Sequence, residues 1–175
     1  MVDVNKFNPR TIYVIYIAAT PDRVWQALTD PAFSTKYFFG FAVDVEPKTG
    51  GAFKLLYPDG RVHVIGKVAD WSPPMRFSCT WLVEGMGEFG QLPECLVTYD
   101  IERCGEAVRL TMTESHSWDV PDSILKGGQS GWPAILSNLK SVLETGKPLV
   151  LAQLGPPPGM VEAVKKAVAE KPWLR

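Results

Sequence analysis

Cysteine is scarce in this chain. Cys79, Cys95 and Cys104 are the only three among 175 residues, an odd number without a C-x-x-C spacing or a nearby histidine pair. A disulfide framework and a zinc site are therefore not expected. Thiols of this kind read as small buried hydrophobes, and only Cys104, in the turn-like ERCGEA, reads as exposed. Net charge is equally scarce: 18 Lys and Arg against 19 Asp and Glu leave −1, which argues against a nucleic-acid surface or a polybasic membrane patch. Long apolar runs are missing too. TIYVIYIAA is too short to span a bilayer, and MVDVNKFNPR lacks the basic-then-apolar order of a secretion signal, so a cytoplasmic location is expected. No glycine-rich phosphate loop follows a strand and opens a helix, and no dinucleotide fingerprint appears. Neither a metal nor a cofactor is expected.

What the chain does have is enough apolar residues, 46%, for one well-buried core. TIYVIYIA, Thr11 to Ala18, is rich in β-branched and aromatic residues and predicts a strand. In TPDRVWQALTD, Thr20 caps, Pro21 suits the first helical position, and Val24, Trp25 and Leu28 form a stripe. Asp30-Pro31 ends that helix, and AFSTKYFF predicts a second, shorter one. From Phe41 to about Ser115 six strands follow, separated by turn signals such as Pro-Asp-Gly and Ser-Pro-Pro. GWPAILSNLKSVLETGKP then returns to helical spacing, with Trp132, Ile135, Leu136, Leu139, Val142 and Leu143 on one face and Gly146 and Pro148 as a stop. The expected class is α+β, a seven-stranded antiparallel sheet with the long helix lying across one face.

Two stretches read as loops of more than turn length. They are GMGEFGQLPE and HSWDVPDSILKGGQSGWP, which are either gating segments or ordinary surface excursions. Phe89, Trp118 and Trp132 would give a mouth between them an aromatic rim. After a Pro-rich break, Gly155 to Gly159, a short helix with Met160, Val161, Val164 and Val168 near one face needs a docking surface, on its own sheet or on a second subunit. Residues 1–148 are thus expected to form the domain and 149–175 an appended tail.

Three motifs, IAATPDRVWQALTDP, PPMRFSCTW and GWPAILSNLKSVLETG, occur in an order and spacing that resembles the SRPBCC, or START-like, superfamily. The likeness covers roughly residues 11 to 147, and is greatest to the branch similar to the C-terminal domain of the Hsp90 ATPase activator. It implies the helix-grip fold, in which a bent sheet wraps the long C-terminal helix and often leaves a hydrophobic cavity. Since fold does not determine function, three roles follow: binding of a small apolar ligand, the leading expectation; a co-chaperone partner of Hsp90; or a polyketide cyclase-like or hydrolase-like enzyme.

Alternation places Phe77, Cys79, Trp81 and Val83 on one strand face, and Val108, Leu110, Met112 and Glu114 on another. These faces should meet the helix. Cys79, Trp81, Leu110, Met112, Trp132, Ile135, Leu136 and Leu139 are therefore expected to line the ligand space, unless they simply pack as core. Glu114 continues an apolar face, so it either meets a donor group at the rim or faces water. His63 shares its parity with Arg61 and Ile65, and His63 and Ile65 complete the expected lining. With His116 after the last strand, His63 and Glu114 are the only candidates for acid-base chemistry, but no motif supplies a nucleophile or an orienting partner, and no catalytic residue is assigned. Monomer and homodimer both remain open.

Overall fold

The computed structural model describes residues 1–152 and 155–174; of the expected tail, positions 153, 154 and 175 lie outside the described residues. Strand β1 (Asn8–Ile17) leads into α1 (Pro21–Thr29) and α2 (Pro31–Tyr37). Thr20 Oγ1 accepts from the Arg23 N–H and Asp30 Oδ1 from the Ala32 N–H, so each helix starts on a side-chain cap followed by proline. Six strands follow: β2 (Ala42–Val45), β3 (Ala52–Leu56), β4 (Val62–Ser72), β5 (Arg76–Val83), β6 (Cys95–Cys104) and β7 (Ala107–His116). All neighbours are antiparallel, in the order β1-β7-β6-β5-β4-β3-β2. The chain thus forms a seven-stranded sheet gripping a long helix, the helix-grip architecture.

That helix, α3, runs from Asp122 to Thr145. It is about 36 Å long at 1.5 Å per residue. Its C-terminal half and its stop at Gly146 (φ 78°) follow the expected pattern. Its N-terminal half does not: DSILKGGQSGWP, expected as loop, is helical despite three glycines and Pro133. Local propensity opposes those turns, and tertiary packing overrides it, because Ile124 and Leu125 are buried in a second hydrophobic cluster. Pro133 has no N–H for the carbonyl of Gln129, which leaves one rung of the helix unmade.

The described residues form two apolar clusters. The larger joins the inner sheet face, with Cys79, Val97, Leu110 and Met112, to α1, α2 and the C-terminal half of α3. The smaller joins Trp118, Val120, Ile124 and Leu125 to a fourth helix, α4 (Met160–Glu170), and to a 3-10 turn at Gly87–Gln91. The tail therefore docks on its own chain. Val164 and Ala167 are its buried residues, whereas Val161, expected in the stripe, is 36% exposed.

A candidate ligand site at the seam between two cores

Strand alternation along β7 carries Val108, Leu110, Met112 and Glu114 to the inner face, and all four are buried. The first three meet apolar neighbours. Glu114 meets the N-terminal half of α3 instead, where Trp132 donates its indole N–H to Glu114 Oε2 at 2.6 Å and His116 Nε2 lies 2.7 Å from Glu114 Oε1. The carboxylate is thus held by donors, the condition under which burying it is tolerated. Gly128 makes room for it: a β-carbon there would stand 3.0 Å from Glu114 Oε2.

Above this pair lies a cavity of about 180 Å³. One wall comes from the larger core, with Trp81, Val83, Cys95 and Trp132; the other comes from the smaller, with Phe89, Leu92, Trp118, Val120, Ile124 and Met160. The Trp81 and Trp132 rings meet edge to face at 5.5 Å, and Trp118 meets Trp173 the same way at 5.2 Å. The expected aromatic trio of Phe89, Trp118 and Trp132 does converge here. Burial holds the Cys95 thiol well above its ordinary pKa, with the nearby Glu114 charge adding to the effect.

Met160 closes the cavity from the α4 side. Its thioether fills the place of a side chain at Gly127, where a β-carbon would overlap Met160 Sδ and Cε. The same methionine lines a neighbouring cavity of about 350 Å³ bounded by Met86, Phe89, Gly131 and Pro156. The Pro-rich break and α4 therefore strap the glycine-rich half of α3.

The other residues expected around the ligand fall into three groups. Cys79, Leu110, Met112 and Leu139 have no exposed surface, and Leu136 and Ile135 are buried beside them, so the middle of the sheet–helix interface is close-packed. Ile65 is displaced from the expected lining. It borders a surface groove with Thr80, Leu82 and the N-terminal residues Met1 to Asp3. The reason is a bulge in β4, where Leu55 pairs with Val64 but Leu56 with Val62, leaving His63 as the extra residue and breaking the alternation that tied His63 to Ile65. His63 lines a different cavity, of about 410 Å³, with Phe39, Phe41, Tyr57 and Ala134. Its ring stacks on Phe41 at 4.6 Å and pairs through Nδ1 with the Tyr57 hydroxyl at 3.1 Å. Partial burial lowers its pKa. Of the three acid-base candidates, Glu114 and His116 touch, and His63 stands apart. Cys95, Ile124 and Met160 also line the cavity, and the sequence pattern does not announce them: Ile124 lies in a stretch of loop-like composition, and nothing local to Met160 says what it covers.

Residues 18–144 match the family model described as Activator of Hsp90 ATPase homolog 1-like protein. The chain belongs to that family. No functionally curated protein matches the sequence. Among solved structures, the chain is similar to DynU16, "a putative protein in the dynemicin biosynthetic locus", at 28% identity and a TM-score of 0.67, over 79% of this chain and 48% of that longer one. It thus spans about half of DynU16. CalU16 from Micromonospora echinospora is 20% identical, with a TM-score of 0.63 over 94% of this chain and 92% of that one. An HSP90 activator from Plasmodium falciparum is 19% identical, with a TM-score of 0.61 over 76% and 94%. The last two likenesses establish the fold, and the CalU16 alignment extends that likeness over nearly the whole chain. No helix among the described residues is long and apolar enough to cross a membrane.

Proposed function

We propose that this member of the family binds a small, ring-bearing apolar molecule in the seam cavity. The observation that carries the reading is the floor of that cavity: a buried carboxylate, Glu114, fixed between Trp132 and His116 beneath walls of tryptophan and phenylalanine. Apolar walls with a few placed polar groups are the usual make-up of a ligand pocket. At about 180 Å³ the space is smaller than most pockets for drug-sized ligands, roughly 300 to 1,000 Å³, and suits one ring. The test is protein-observed NMR of the full chain titrated with one- and two-ring aromatics. One-to-one saturable shifts at the indole N–H signals of Trp81, Trp118 and Trp132 are expected. Shifts confined to Trp25 and Trp71, which pack together at 4.8 Å elsewhere in the larger core, would refute the reading.

A second reading, a co-chaperone that engages an Hsp90-type ATPase, has its own support. The family model carries that activity in its description, and the close-packed centre of the grip suits an interaction domain. Phe39, 48% exposed and held at a φ of 50°, stands beside Met86 at the mouth of the His63 cavity; a bulky residue kept in the left-handed region is a strained feature of the type found at binding surfaces. Stimulated ATP hydrolysis by Hsp90 from the same cell, lost in Phe39→Ala, is the expected result. No binding by calorimetry at tens of micromolar would exclude it.

A further inference from the structure

The cavity that holds His63 lies apart from the seam, and among the described residues the two share no lining side chain. At about 410 Å³ against about 180 Å³, it is also more than twice as large. The space exists because α3 turns Ser130, Gly131 and Ala134 toward it, and a β-carbon built on Gly131 would meet nothing within 4 Å. Most of the remaining wall is rings. Phe41 and the His63 imidazole stack at 4.6 Å, and Tyr57 leans on both at 5.0 Å. Ser130 donates its hydroxyl to the Lys126 carbonyl, and the Tyr57 hydroxyl pairs with His63 Nδ1. Among the described residues no Asp, Glu, Lys or Arg lines the space. Burial lowers the His63 pKa, so at neutral pH its ring adds no charge either.

Three local departures from regular structure converge here. The β4 bulge makes His63 its extra residue, Phe39 is held at a φ of 50°, and Met86, 46% exposed, stands between Gly85 and Gly87, at φ 67° and 57°. Bulges re-aim side chains, and strained residues gather at functional sites. We infer that this cavity is a second, separate binding site, for a neutral, flat molecule of two or three rings. Neutrality follows from the lining, since a charge brought into it would lose its water and find no ionic partner. Flatness follows from the ring walls, which favour stacked and edge-on aromatic contacts. The size follows from the volume: apolar cavities of about 150 Å³ take benzene, and about 410 Å³ takes correspondingly more. Because Phe41, Tyr57 and His63 already pack on one another, the wall needs little ordering when a molecule arrives. Phe39 and Met86 stand exposed at the mouth, and the glycines beside Met86 leave its backbone free to swing clear. Larger size and lack of charge set this site apart from the seam, where one ring would lie above a carboxylate.

The experiment titrates the full chain with 2-acetylnaphthalene, 2-naphthoate and acetophenone, followed by NMR at the ring signals of His63 and Tyr57. The first two have nearly the same shape and differ in charge; the third keeps the ketone and lacks one ring. 2-Acetylnaphthalene is expected to saturate those signals at least tenfold more tightly than either of the others. Gly131→Leu places a side chain in the space and should weaken its binding at least tenfold. Leucine favours helix over glycine and its β-carbon has open room there, so the variant should melt no lower than the parent, which separates loss of the site from loss of the fold. Ala134→Leu, which fills the same space from one turn further on, should weaken binding likewise. Equal affinity for 2-naphthoate or for acetophenone would overturn the assigned class of molecule. Undiminished binding in both variants, no saturable shift at His63 and Tyr57, or saturation seen only at the Trp118 and Trp132 indoles, would overturn the site itself; the last result would place the molecule in the seam.

Discussion

Trp132 reaches from α3 to β7 and gives its indole N–H to Glu114 at 2.6 Å, the shortest link between the gripped helix and a charged residue of the sheet's inner face. Trp132→Phe keeps an aromatic ring, though a smaller one, and leaves Glu114 Oε2 unmet; an unmet buried acceptor by itself costs about 1–3 kcal/mol. Urea denaturation should show that loss. The double variant Trp132→Phe with Glu114→Leu should recover part of it, since replacing both partners removes the stranded acceptor. A double variant no better than the single one would mean that the bond contributes little.

Leu139 reports on the centre of the grip. It has no exposed surface and packs among the inner residues of the sheet, so Leu139→Trp should overpack the interface and cost about 1–3 kcal/mol or more. A melting temperature unchanged from the parent would reveal a void under the helix.

Met160 should control access to Cys95. Cys104 is exposed, Cys79 is buried and Cys95 lines the seam cavity, so brief alkylation of the native protein should label Cys104 alone. Met160→Ala removes the thioether that covers Gly127 and closes the cavity. Labelling at Cys95 should accelerate several-fold while Cys79 stays slow, as read by peptide mass spectrometry. Identical Cys95 rates in parent and variant would show that α4 does not gate the site.

His63 should make stability fall in mild acid. Desolvation lowers its pKa in the fold below the ordinary 6.5, so the unfolded chain binds more protons in the window between the two values. Stability is then full above about pH 6.5 and is lost as pH falls through the folded-state pKa. The melting temperature of the parent should fall relative to that of His63→Phe as pH drops from 7.5 to below 6, because the variant lacks this penalty. A constant difference would mean that His63 is free to ionise in the fold.

The seven strands, both short helices and the inner faces of β5 and β7 were legible because period-two alternation and turn residues are local signals. Glu114 was legible as an anomaly, a carboxylate continuing an apolar face. The bulge at His63 was not: it adds one residue to β4 opposite the Leu55–Leu56 pair, and a register shift leaves no mark in the alternation of either strand alone. The helical run from Asp122 to Gly131 was hidden for a different reason. Its glycines argue for a loop, and what makes it helical is the burial of Ile124 and Leu125 beneath α4, a partner some forty residues further along the chain. The seam cavity inherits that difficulty, since one of its walls exists only once the tail has folded back.

Pro133 and the unmade rung before it give α3 two halves with different neighbours. The turns after Pro133 are clamped by the sheet. Those before it hold three glycines and are covered by α4 and its Pro-rich approach. Amide protons between Leu125 and Gly131 should therefore exchange with deuterium through a small local opening, on a shorter timescale than those of Leu136 to Val142, which need the whole grip to come apart. The helix would behave as an anchored shaft with a hinged end, and a molecule could come and go at the hinged end without the sheet ever letting go of the shaft.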